Sequence, residues 1–493
     1  MGFVMYRKQD KNQLTMEEFY LPFGDGLRRD NRWVRTAGLI PWELVDEIYA
    51  RSLSMEKGRE AIPSRIAFGA VFIKEQENLT DEGTVAYLSE NPYAQYFVGL
   101  KEFRTEPLFE ASMMVHFRKR FGPAAIREIN EILYERMCPR EKEPPEESGG
   151  TAAQGSSGAG READGNKGVM ILDATVAPAD IHYPTDLSLV NACREDTERM
   201  IDRLWAFGSR SGHKTSYSRK KARRSYLAVA KQRKAKAKAM RRAVSEQIEY
   251  VGKNLDTLGA LIGEVGEVRL TRAERERLDT IRKVWEQQRG MRDTGAHSCP
   301  DRIVSLRQPH VRCIMRGKAG SPYEFGQKIH LSVVNGFTFI EEQSYDNFNE
   351  GTRLKAAAQR YRERVGRWPE AILADTIYRN RENRTFCKEH GIRLSGPRLG
   401  RPRKDEAEED KAQAYRDSVE RNVVESRNGI AKRRYGLDRI MAYLAVTGLT
   451  EAAMQILVMN VAHLLRFLLC LFWRGQARLK RAVRWSPEAV WAA

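Results

Sequence analysis

Cysteine is scarce in this chain: six in 493 residues (Cys138, Cys193, Cys299, Cys313, Cys387 and Cys470), with no CxxC pair among them. That excludes a disulfide-stapled scaffold and suits a reducing compartment. His297-x-Cys299 and His310-x2-Cys313 match no common zinc-finger spacing. The first residues, Met1-Gly-Phe-Val-Met-Tyr-Arg-Lys, lack the apolar core of a signal peptide, and the serine or threonine of a myristoylation motif is missing at position six. Long apolar runs are also rare. One, Ala452 to Trp473, carries Gln455, Asn460, His463 and Arg466 in its interior, each costly in hydrocarbon, so it reads as a buried helix closing a core. The expectation is a soluble, cytoplasmic protein with no membrane contact.

The most telling absence is of acid. Residues 210–242 hold fourteen Lys or Arg and no Asp or Glu, so of the net +18 only +4 belongs to the rest of the chain. Concentrated positive charge points to a polyanionic partner. Lys214, Arg219, Lys220, Lys221, Arg223 and Arg224 lie in this run. Flexible cations of this kind suit phosphate contact rather than base reading. A purely structural charged hairpin is the alternative.

The chain is long enough for two to four domains. Residues 1–138 read as a helical N-terminal domain, with Thr80 as a helix-start signal and aromatic packing from Asn91 to Leu100. Residues 139–168, containing Pro-Pro-Glu-Glu-Ser-Gly-Gly and Gly-Ser-Ser-Gly-Ala-Gly, read as a linker with too little apolar surface to order itself. Strands are predicted at about 169–176, 327–335, 337–344 and 371–374, with a helix over 350–365 and Gly336 in a tight turn. The first and last of these strands are almost continuously apolar, as expected when both faces are covered. A largely helical, basic insertion occupies about 180–320, and residues 476–493 form a tail. The second domain therefore spans 169–475 with that interruption.

Two apolar runs end in aspartate, Val169-Met-Ile-Leu-Asp173 and Ala371-Ile-Leu-Ala-Asp375. Further on comes Arg421-Asn-Val-Val-Glu425-Ser-Arg-Asn428-Gly-Ile-Ala-Lys432. Helical periodicity places Arg421, Glu425, Asn428 and Lys432 within roughly sixty degrees of one another, and Val419, Val423 and Ile430 opposite, as the expected buried face. Three carboxylates drawn close repel, each pair by about 4 kcal/mol at 4 Å and an effective dielectric near 20. Such a set makes sense where cations neutralise it. Each aspartate alone is also a common strand-end turn residue. Glu420 rivals Glu425, and Asp346 and Glu350 could reach the site or simply cap a helix.

Asp375-Thr-Ile-Tyr378-Arg-Asn-Arg-Glu-Asn, the following Gly391-Ile-Arg-Leu-Ser-Gly396-Pro-Arg-Leu-Gly400-Arg-Pro, and Arg421-x3-Glu425-x6-Lys432 with Arg433-Arg-Tyr-Gly-Leu resemble blocks of the DDE transposases of bacterial insertion sequences, in particular the insertion-sequence-five-like group. The chain departs from the pattern at Ser418, where a tyrosine is usual. The resemblance implies an α/β, ribonuclease H-like mixed-sheet core with a helical N-terminal domain that binds terminal inverted repeats. It implies metal-dependent cleavage at element ends and strand transfer into target DNA. Asp173, Asp375 and Glu425 become the catalytic metal ligands, for two Mg²⁺ ions that Mn²⁺ can replace. Arg421 and Lys432 become phosphate contacts, or else ordinary helix-surface cations. Tyr378 stacks on displaced DNA or packs internally. Tyr183-Pro-Thr-Asp186 also resembles a family block. Double-stranded DNA is the implied partner, and joining two ends implies a homodimer in that complex. A nuclease that only hydrolyses and a decayed, DNA-binding remnant are the alternatives.

Overall fold

A computed structural model describes residues 4–5, 26–54, 58–139, 165–208, 214–318, 321–396 and 406–484. Most of the linker (140–164) and the Arg-Pro stretch of the second block (397–405) lie outside them.

A two-residue parallel pair, β1 (Val4–Met5) with β2 (Arg59–Glu60), accompanies six helices: α1 (Arg32–Ala37), α2 (Trp42–Arg51), α3 (Ser64–Glu77), α4 (Asp81–Glu90), α5 (Pro92–Phe97) and α6 (Met113–Met137). Thr80 caps α4 through Gly83 N, as the sequence indicates, and Asn91 caps α5 with Pro92 at its first position. Gly122 at φ 66° with Pro123 kinks α6. Rings of Trp33, Trp42, Phe68, Phe72 and Phe97 pack edge-on or tilted at 5.2 to 6.2 Å.

The remainder is built on a mixed sheet. Along the chain come β3 (Val169–Pro178), α7 (Asp186–Trp205), α8 (Arg219–Ala230), α9 (Ala237–Val265), α10 (Arg272–Thr294), β4 (Arg312–Lys318), β5 (Ser321–Val334), β6 (Phe337–Ser344), α11 (Leu354–Val365), β7 (Ala371–Leu373), α12 (Arg381–Glu389), β8 (Arg393–Leu394), α13 (Glu406–Tyr435) and α14 (Ala445–Arg484). The strand order is β4-β5-β3-β7-β8, with β6 also on β5. β5 is antiparallel to β3, β4 and β6, whereas β7 is parallel to β3 and to β8. Asn335 and Gly336, both at positive φ, join Val334 to Phe337 in the two-residue hairpin that Gly336 announces.

Three elements differ from expectation. β5 starts six residues earlier than the predicted strand, and β4 pairs with that extension. Arg-Cys-Ile-Met-Arg-Gly-Lys offers no apolar run because β4 is an edge strand. The helix predicted from 350 opens as a 3-10 turn, Glu350–Thr352, before α11. Finally, α14 continues to Arg484, into the segment read as a tail.

α14 is the helix of the long apolar run, and its part from Ala445 to Cys470 is long and apolar enough to cross a membrane. Much of that stretch is buried against α3, α6 and β6. Its polar residues have partners there: Gln455 donates to Glu75 (3.0 Å), and Asn460 donates to Asn130 (2.8 Å) and to the Thr338 carbonyl (2.7 Å). The N-terminal helices and the sheet therefore share one apolar core. The insertion has its own, from α7, α9 and α10, around Leu204, Val251, Leu258, Ile281 and Val284. The segment from Thr271, read as a solvated helix or one arm of a hairpin, is α10, with a Thr271–Glu274 capping box and one buried face.

Candidate active site

In the parallel β3–β7 pair the last partners are Ile171 and Leu373, which share one face of the sheet. Asp173 lies two residues further along β3, and Asp375 lies two residues past the end of β7, where the chain turns. The face of Ile171 and Leu373 packs with Val333 against Val424 of α13. Asn428, one helical turn beyond Val424, donates to Asp173 Oδ2 at 2.8 Å. Asp375 accepts from Thr376 N (2.6 Å), capping a short turn, Thr376–Tyr378. Glu425 neighbours Val424 but is exposed, on the rim of the same helix.

The buried stripe of α13 is not the expected one. Val419 and Val423 are 50% and 41% exposed, while Asp417, Val424, Ala431 and Tyr435 are buried. Polar groups make the difference. Asp417 is buried in an ion pair with Arg393 (2.6 Å), and Arg427 against His463 (3.0 Å), so the helix seats a mixed stripe that apolar periodicity does not reveal. The rotation turns Asn428 onto Asp173 and leaves Glu425 exposed.

Beneath the aspartates sits Tyr378, only 1% exposed and stacked on His330 with ring centroids 5.7 Å apart. Its ring is packed inside the protein. Its hydroxyl has no hydrogen-bond partner. Burial drives its pKa far up, and the carboxylates of Glu350, Asp173 and Asp375 push further in the same direction, with Arg421 opposing. Arg421 Nε and Asn428 Oδ1 are likewise buried without partners. Lys432, a turn further on, is half-buried. Among the described residues, no group of three or more His, Cys, Asp or Glu side chains is placed to hold a metal ion.

His330 is itself buried, with both ring nitrogens unpartnered, and burial lowers its pKa to about 4. The unfolded chain, with a histidine near 6.5, binds the proton more readily. Stability should therefore fall as pH drops from about 6.5 towards 4, by up to about 1.4 kcal/mol per pH unit for this group. Urea midpoints at pH 7 and 5 for wild type and a His330→Gln variant check this, and the variant should lose less on acidification.

The basic run lies away from these groups, on the insertion. Arg219 and Lys214 pair with Asp202 (2.7 and 3.3 Å), and Ala222 is buried, so part of the run anchors α8. Lys220, Lys221, Arg223 and Arg224 are exposed. The Tyr183–Asp186 block lines a cavity of about 770 Å³ with His297, Cys299 and Cys313. Tyr183 is 70% exposed, edge-on to Phe325, and Asp186 pairs with Arg302, tying the start of α7 to the loop after α10. Asp346 faces Arg312 at 3.8 Å. Glu350 meets Lys328 at 3.5 Å.

Comparison with known proteins agrees with this arrangement. A family described as "Transposase DDE domain" matches residues 372–462, spanning Asp375, Glu425 and Lys432 but not Asp173. A second, described as "Transposase domain", matches residues 22–120. An uncharacterised protein, ORF8 of the nfe locus of Rhizobium meliloti, is 32% identical over 156 residues, 32% of this chain and 66% of that protein. The chain thus spans just under two thirds of that relative's length. No solved structure matches. Two transposase domain families are thus matched in order along one chain, the DDE domain following the other.

Proposed function

We propose that the chain cleaves DNA at the ends of an insertion sequence and joins the freed 3′-hydroxyl to target DNA, at a site formed by Asp173, Asp375 and Glu425. The observation that supports this reading is the parallel β3–β7 register, whose last partners, Ile171 and Leu373, stand two residues before Asp173 and Asp375 and pack against Val424, the neighbour of Glu425. The order β6-β5-β3-β7-β8, antiparallel and then parallel, supports a ribonuclease H-like core. The three carboxylates would hold Mg²⁺, which when bound activates the attacking oxygen and neutralises charge on the leaving one. Asn428 orients Asp173, and Arg421 and Lys432 offer positive charge for a phosphate alongside. Residues 41–136 supply recognition of the terminal repeats, and the partner DNA is held as a homodimer complex.

The test is a purified-protein reaction with a duplex carrying the element's own terminal repeat, a target plasmid and Mg²⁺. Joined products support the reading. Nicking without joining favours a nuclease, and binding with no cleavage a decayed enzyme.

The exposed cations of α8 make a separate prediction. Replacing Lys220, Lys221, Arg223 and Arg224 by Gln should weaken DNA binding and flatten the log–log salt dependence by about 3.5 if all four meet phosphate. Fluorescence anisotropy across a salt series measures it, and an unchanged slope rules out contact there.

A further inference from the structure

The cations at the end of α13 do not stand alone. Arg434, on its last turn, lines a cavity of about 230 Å³ together with Arg32 and Arg35 of α1 and with Leu465, Arg466 and Leu469 of α14. Three segments far apart in the chain thus bring four arginines to one place. Asp30 is the one acid of the lining, and Arg28 takes both its carboxylate oxygens (3.1 and 2.7 Å), with Arg35 a weaker influence. Arg32 pairs with Glu77 (2.9 Å). Among the described residues, Arg35, Arg434 and Arg466 form no ion pair with a carboxylate. Neutral groups hold two of them instead: Arg434 lies 5.6 Å over the Tyr435 ring, and Arg466 Nε donates to the Ala462 carbonyl (3.1 Å). Like charges so gathered repel, and an anion between them relieves the repulsion.

The composition around α14 points the same way. From Ala452 to Pro487 the chain has six Lys or Arg and no Asp or Glu, a second acid-free stretch beside that of 210–242. Arg434 also follows Glu425 on one continuous helix, standing about 14 Å further along its axis at about 1.5 Å per residue. That is the length of roughly four base pairs at about 3.4 Å each, within reach of a duplex engaged at the candidate active site.

We propose that the arginine cluster of α1, α13 and α14 binds the phosphate backbone of duplex DNA, as a contact separate from the basic run of α8. The identity of the polyanion rests on the proposed transposase function. A guanidinium offers phosphate a planar fork and is less strongly hydrated than an ammonium, which suits a lining that is partly apolar. Such contacts fix position on the duplex and carry no base sequence.

The experiment is fluorescence anisotropy of the full-length chain with a terminal-repeat duplex and a scrambled one, over about 50 to 200 mM salt without divalent cations. Wild type is compared with an Arg35→Gln, Arg434→Gln, Arg466→Gln triple variant, with melting curves alongside. At about 0.9 per phosphate contact, the variant's log–log salt slope should be about 2.7 shallower on both duplexes, so that wild type loses about fortyfold more affinity over that range. An unchanged slope, weaker binding at an unchanged slope, or flattening on one duplex alone overturns the inference and leaves the transposase reading standing. Wild type that binds neither duplex overturns that reading, and the inference with it. Should the triple variant melt at a lower temperature, Arg434→Gln and Arg466→Gln are measured singly. A slope shallower by about 0.9 in either supports the inference, and wild-type slopes in both overturn it.

Discussion

An Asp173→Asn chain is expected to fold and bind terminal-repeat DNA like the wild type, yet to cleave it about a thousandfold more slowly. Asparagine is nearly isosteric, so the strand pairing of Asp173 with Leu331 and the packing beneath Val424 are undisturbed. What changes is charge. A carboxylate that would help hold the cation becomes an amide, and losing about 4 kcal/mol of transition-state stabilisation corresponds to roughly three powers of ten in rate. Asp375→Asn should behave alike. Asparagine caps helices as well as aspartate does, so the Thr376–Tyr378 turn survives and loss of activity cannot be assigned to a lost cap. Glu425→Gln completes the set. Single-turnover cleavage of an end-labelled duplex, alongside anisotropy and melting curves, reads all three. Cleavage within tenfold of wild type in any of them removes that residue from the site.

The second large effect is on stability. Arg364 of α11 forks onto both carboxylate oxygens of Glu131 on α6 (2.6 Å each), reaches Glu341 of β6 (3.3 Å) and lies 3.7 Å over the ring of Phe339. It is nearly fully buried, and so is Glu341. One side chain thus links the N-terminal helices, the sheet and the helix covering it. Replacing Arg364 by Met keeps the stem's apolar packing but strands Glu341, which retains Ser332 (2.5 Å) and a half-exposed Arg360 (3.1 Å). Breaking one partner of a buried pair typically costs about 3 to 5 kcal/mol. The urea midpoint should fall accordingly. Arg364→Met with Glu341→Gln should recover part of the loss, because the uncompensated charge is then gone. A double variant no more stable than the single one would place the cost in packing instead.

The strands of Asp173 and Asp375 were legible because both are buried on two faces and so read as unbroken apolar runs ending in a charge. The cap at Thr80 and the Gly336 hairpin were legible too, since one residue type satisfies each local backbone requirement. The insertion was visible as a compositional break, and the acid-free run within it as a charge anomaly. By contrast, β4 and β8 are short edge strands without an apolar signature. The seat of α13 was misjudged because periodicity assumes that apolar residues are the buried ones, whereas Asp417 and Arg427 are buried with partners supplied by Arg393 and His463. Those partners are distant along the chain, and nothing local marks them.

Residue type and periodicity therefore determined which carboxylates were available, which elements carried them and what charge their partner must have. The register of β3 with β7, the turn of α13 about its axis, the burial of Tyr378 under His330 and the seating of Gly351 against Ile377 were decided by tertiary packing alone. Local sequence fixes how a segment is patterned. Which groups meet depends on contacts between segments far apart in the chain, where the free energy of burying one polar group is set by the partner another segment brings.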